Sequence, residues 1–218
     1  MPDDEQPVTT RLVLLRHGES TAMVDGVVGG HDGCKGLSPR GREQAEALRD
    51  RLASTGELTA DVLLSSILPR AVETAEIIAP ALGTAPLSSH CDYCEIHPGE
   101  SDGMRWEDYR ATYGFDPVLE PERPLSPGGE SLRTFRARVV AAIDRVLEEH
   151  AGRTVVLVCH GGVIVAASRH LLGLADVDPT AALWLDVDPT GITEWTVEGD
   201  VHKLRRFNDA AHLPPSSD

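Results

Sequence analysis

Leu12-Val13-Leu14-Leu15-Arg16-His17-Gly18-Glu19-Ser20 is an apolar run of strand length that stops at an arginine and a histidine, with glycine and small polar residues behind them. Four aliphatic residues in a row, without polar alternation, describe a strand buried on both faces, as in parallel sheets. Open sheets of that kind bind ligands outside the carboxyl ends of their strands. The stretch therefore presents His17 to a ligand, and Arg16 beside it makes that ligand an anion.

A second run, Thr154-Val155-Val156-Leu157-Val158-Cys159-His160-Gly161-Gly162, ends in the same way. In one sheet the two imidazoles can be neighbours, each followed by a glycine that lets a ligand approach the backbone. The rest of the chain supplies the frame. Helices are predicted from Ser38 as N-cap with Pro39 behind it to Gly56, from Arg70 to Leu82, from Ser131 to about His150 and from Val163 to about Leu172. Residues 61–66 read as a short buried strand, and 183–187, 192–197 and 201–207 as strands joined by turns. Residues 22–36, rich in Gly and Asp, read as a long loop over the first strand's end. The least regular part, 91–129, carries Pro98, Pro117, Pro121, Pro124 and Pro127 around one short helix at 106–113. This pattern predicts an α/β chain, a three-layer α/β/α sandwich with a mostly parallel central sheet and the irregular segment inserted as a lid. Residues 1–10 and 211–218 read as flexible tails on a single catalytic domain at 11–210.

With 218 residues and 41% hydrophobic content the chain buries a core of its own. Its formal net charge of -15 argues against nucleic-acid or membrane partners, so an anionic ligand needs a local cationic pocket. The opening residues lack the basic and apolar segments of a secretory signal, and no apolar run reaches membrane length; a cytoplasmic location is expected. A homodimer is left open. Of the four cysteines, Cys34, Cys91, Cys94 and Cys159, only Cys91 and Cys94 form a Cys-x-x-Cys. No second such pair or His pair accompanies it to complete a zinc site, so four free thiols and no metal are expected. His31, His90 and His97 read as loop residues.

Two histidines with Arg16, and Arg70 at the start of a helix after Ser65-Ser66, outline a phosphoryl-transfer site. Planar guanidinium forks match the spread oxygens of a phosphoryl group. One neutral histidine attacks phosphorus, its other ring nitrogen held in place, and the second stays protonated and donates to the phosphoryl oxygens. An alkoxide leaving group also calls for an acid still protonated near neutral pH. Glu95, Glu100 and Asp102 are the candidates, and spacing does not choose among them.

These residues resemble the histidine phosphatase superfamily, in the branch shared by cofactor-dependent phosphoglycerate mutases and broad-specificity phosphatases. Leu15-Arg16-His17-Gly18-Glu19-Ser20 is similar to its signature. Residues 37–45, 65–75, 95–99 with Gly103, 127–131 and 158–162 resemble its further motifs in order. The resemblance implies His17 as the phosphorylated nucleophile and Glu95 as acid and then base. Arg16, Arg70 and His160 would form the phosphate pocket, with Ser20 and Gly161 also binding substrate. No metal or other cofactor is implied, and the partner is a small phosphorylated substrate. Met23 stands where the family often has an asparagine that helps bind phosphate, and the loop from Gly30 to Leu37 is longer than the usual spacing. A phosphomonoester hydrolase is the leading expectation. A phosphoglycerate mutase and a non-catalytic phosphate-binding module are the alternatives; the region around Glu95 lacks the longer basic and aromatic motif of the mutases.

Overall fold

Alternate residues of the first strand feed two separate cores. β1 (Thr9–Arg16) sends Leu12 and Leu14 to one side and Val13 and Leu15 to the other, all fully buried. The computed structural model describes residues 8–83, 87–174 and 185–214. The remaining elements are α1 (Thr21–Asp25), α2 (Pro39–Thr55), β2 (Val62–Ser66), α3 (Pro69–Leu82), β3 (Leu87–His90), α4 (Trp106–Thr112), α5 (Leu132–Glu149), β4 (Thr154–Cys159), α6 (Gly161–Leu171), β5 (Ile192–Glu198) and β6 (Val201–Asp209).

The strands form one sheet in the order β3-β2-β4-β1-β5-β6, parallel from β3 to β1 and antiparallel from β1 to β6. Residues from α2 and α3, Leu48, Leu52, Ala75 and Ile78 among them, pack with Val13, Leu15, Val156 and Val158. Phe135, Val139 and Ile143 of α5 and Val163 and Ile164 of α6 pack with Leu12, Leu14, Val155 and Leu157 on the other face. The fold is thus the α/β sandwich expected, with β1 and β4 central because both faces are covered. None of the described helices is long and apolar enough to cross a membrane.

Local chemistry sets the helix ends. Ser38 caps α2 by accepting from the Gly41 amide, Gly56 closes it in the left-handed conformation, and Ser131 caps α5 through a reciprocal box with Thr134. Several boundaries differ from the sequence reading. The loop at 22–36 contains α1, whose five residues are set by Ser20 accepting from the Met23 amide and by left-handed Gly26. Helix α6 starts at Gly161 rather than Val163, because extended His160 is its N-cap. β3 was not expected: its exposed polar residues carry no strand pattern. Of the strand expected at 183–187, residues 183 and 184 lie outside the described residues and 185–187 are not strand. Thr9 and Thr10, read as tail, begin β1, and His212 in the other tail reaches Thr190 with its Nε2 2.8 Å from Oγ1.

The segment after β3 is irregular, as expected, yet firmly held. It folds onto the loop after α1 through Val28 and Met104, whose backbones pair at 2.8 Å, and buries Tyr109 against Val28 and Leu125. Asp102 ties the two together, its carboxylate accepting from the amides of Gly30, Asp32 and Gly33 at 2.8–3.0 Å.

Candidate active site

The register of β1 with β4 sets the site. Arg16 pairs with Cys159, and the ladder continues as the His17 amide donates to the Cys159 carbonyl at 3.0 Å. His17 and His160 therefore leave adjacent strand ends together, with ring centroids 5.0 Å apart. This is where helices change from one face of the sheet to the other, the crevice in which open α/β sheets bind ligands.

The two imidazoles differ in what holds them. Nδ1 of His17 lies 2.6 Å from the Gly18 carbonyl, which places its proton there and turns the Nε2 lone pair toward the pocket. Nε2 accepts from the Nε–H of Arg70 at 3.0 Å. Arg70 is itself buried on the first turn of α3, with Nη1 donating to the Gly29 carbonyl at 2.8 Å. Burial first, then the charge of Arg70, holds His17 well below the ordinary histidine range, so the ring is neutral at pH 7. His160 is fully buried, and neither ring nitrogen has a hydrogen-bond partner among the described residues. Burial, then the charge of Arg70, also keeps it well below the ordinary value. This corrects the expectation of a resident imidazolium: His160 is neutral here, and the charge that would favour its protonated form is that of a bound phosphoryl group.

Glu95 is the carboxylate that reaches the pocket. Its Oε2 accepts from the Gly162 amide at 2.9 Å, on the first turn of α6, so the helix end fixes it opposite the histidines. A Cβ at Gly162 would overlap the carboxylate, so a larger residue there would displace Glu95. The geometry separates the three acids that spacing left open. Asp102 spends both oxygens on the amides of the 30–33 loop, and Glu100 is not among the cavity's lining residues.

These groups line a cavity of about 330 Å³ that includes Arg16, His17, Ser20, Arg70, Glu95 and Gly161. The structure thus brings every site residue expected from sequence to one cavity except His160, which is buried with its ring centroid 5.0 Å from that of His17. Arg16 donates to the Val187 carbonyl, and its buried Nε has no partner among the described residues. Met23 does sit at the cavity, its sulfur 3.8 Å from Arg16 Nη2. The rim is apolar, with Val28, Ile96, Trp106 and Leu125. A larger crevice of about 580 Å³ between Glu19 and Asp188 holds no histidine and is not a candidate for this chemistry.

Sequence reading passed over the residues that hold the Glu95 segment. Arg138 of α5 donates to the carbonyls of Asp92 and Cys94 at 2.9 and 3.0 Å and pairs with Glu130 at 2.7 Å. Glu130 falls within the 127–131 motif, but Arg138 looks like any helix-surface cation. Sequence spacing shows no pair beside Cys91 and Cys94, yet the fold brings His31 and His97 next to both thiols.

A family profile described as the histidine phosphatase superfamily (branch 1) matches residues 12–210. Phosphoglycerate mutase-like protein 4 of Arabidopsis thaliana is 31% identical over 97% of this chain and 90% of its own length. A metal-independent phosphoserine phosphatase of the same plant is 32% identical over 72% of this chain and 66% of its own. The fold also matches a phosphoserine phosphatase variant from Entamoeba histolytica solved with phosphoserine, with a TM-score of 0.77, 26% identity and coverage of 94% of this chain and 100% of that one.

Proposed function

Because the chain belongs to branch 1 of the histidine phosphatase superfamily, we propose that it is a metal-independent phosphomonoester hydrolase working through a phosphohistidine on His17. Nε2 of His17 attacks phosphorus as the ester P–O bond breaks, and Glu95 gives its proton to the departing alkoxide. Arg16, Arg70 and His160 hold the phosphoryl oxygens through the transfer, aided by Ser20 and Gly161. Water then attacks phosphorus, the Glu95 carboxylate takes the water's proton, and the P–N bond electrons return to Nε2.

The observation that carries hydrolysis over mutase transfer is the charge of the cavity. Among the described lining residues the cations are Arg16 and Arg70, and this mechanism uses both on the phosphoryl group at His17. A mutase must also hold the carboxylate of its phosphoglycerate and the second phosphate of a bisphosphate, and each needs a cation. The apolar rim instead favours a small ester with an uncharged or aromatic leaving group. A phosphate-release screen tests this. Aryl and neutral alkyl phosphates should be hydrolysed faster than phosphoserine or 3-phosphoglycerate, and 3-phosphoglycerate with a bisphosphate primer should not isomerise. Rapid isomerisation without free phosphate would overturn the reading.

A further inference from the structure

Four donor atoms of one kind of chemistry meet outside the catalytic cavity. Cys91, Cys94, His97 and His31 present their sulfurs and ring nitrogens within 4.8 Å of one another. We propose that they form a structural zinc site that fastens the loop after α1 to the segment carrying Glu95.

Two of the separations match a tetrahedral ligand set. Zinc bonds of ~2.3 Å to sulfur and ~2.0–2.1 Å to nitrogen, at tetrahedral angles, put sulfur and nitrogen ~3.6 Å apart. Cys91 Sγ lies 3.5 Å from Nε2 of His31 and 3.5 Å from Nε2 of His97. The imidazole planes are tilted by 60° with centroids 5.2 Å apart, so the rings converge through their nitrogens and do not stack. The 3-10 turn at Cys91–Tyr93, closed by the Cys94 amide on the Cys91 carbonyl at 2.9 Å, brings both sulfurs to one side.

The surroundings are those of a metal ligand shell. His97 turns Nε2 toward Cys91, its backbone amide donates to Glu130 Oε2 at 2.9 Å, and the same carboxylate oxygen lies 3.7 Å from its Nδ1, close enough to favour the ring's orientation without a hydrogen bond. Fully buried Cys94 accepts from the Ser66 hydroxyl at 3.3 Å. Arg138 gathers the segment's carbonyls and Asp102 pins the His31 loop, so the ligands are held before any ion arrives. Exposed His31 is the entry side. Two thiolates and two imidazoles select a tetrahedral, borderline-soft divalent ion, and four protein ligands leave no open position for chemistry. Glu95 lies in the sequence between Cys94 and His97, so the ion braces the acid without touching substrate.

Metal analysis of the full chain expressed with added zinc is the test. About one zinc per chain is expected, with X-ray absorption giving two sulfur and two nitrogen neighbours. Cobalt(II) should produce the thiolate charge-transfer and intense visible bands of a tetrahedral site. The exposed His31→Ala variant, which should fold, loses the tetrahedral cobalt spectrum, and Cys91→Ser/Cys94→Ser loses the zinc. Stripping zinc from the wild type should lower its melting temperature. The proposal is overturned if the purified chain binds neither zinc nor cobalt, if zinc persists in the double variant, or if Cys91 and Cys94 oxidise to a disulfide equally fast with and without zinc.

Discussion

The Nε–H of Arg70 meets Nε2 of His17 across 3.0 Å, so a permanent cation sits on the lone pair that has to attack phosphorus. The contact keeps the ring neutral and aims the guanidinium where phosphoryl oxygens arrive. After burial, Arg70 is the largest influence lowering the pKa of His17.

Arg70→Met should therefore act twice. Loss of the charge raises the pKa of His17, and the acid limb of kcat/KM moves to higher pH. On the pH plateau kcat/KM falls at least ~10-fold, since a hydrogen bond to a charged group contributes ~1.5–3 kcal/mol. Imidazole titration by NMR beside the pH–rate profile checks both; an unmoved limb would separate Arg70 from the state of His17.

His17 and His160 also make stability depend on pH. Both have folded pKa values well below the unfolded value of 6.5, so the unfolded chain binds more protons below that pH. Their contribution is fully present above pH 6.5 and is lost as pH falls from there toward the folded values. Urea unfolding across this range should show wild-type stability dropping on acidification, with a shallower slope in His160→Gln. Equal slopes would mean that His160 does not take part.

Glu95→Gln should slow alkyl phosphates far more than aryl phosphates with good leaving groups, because only the former need the proton. Gly162→Ala should give the same pattern in milder form, because a Cβ there displaces the carboxylate while His17 and Arg70 stay in place. Steady-state kinetics on matched alkyl and aryl esters read this out. Equal losses on both classes would take the acid role from Glu95.

The central strands were legible because β1 and β4 are covered on both faces, which leaves an uninterrupted aliphatic run. Ser38, Gly56 and Ser131 marked helix ends through hydrogen bonds that are local in sequence. What stayed hidden depends on contacts between distant segments. β3 is exposed and polar and gains its strand character only by pairing with β2. Glu95 is distinguished from Asp102 only by which amides each carboxylate meets, Gly162 in one case and the 30–33 loop in the other. His31 joins Cys91 from sixty residues away, a closure no local spacing records.

Covalent transfer to His17 is the central claim, and trapping the intermediate tests it most directly. Rapid acid-free denaturation during turnover of a radiolabelled phosphomonoester should leave phosphoryl on the protein, stable to base, lost in acid and mapped to the peptide containing His17. The label should be absent from His17→Ala. Steady turnover with no protein-bound phosphoryl group, or label that persists in His17→Ala, would contradict the account.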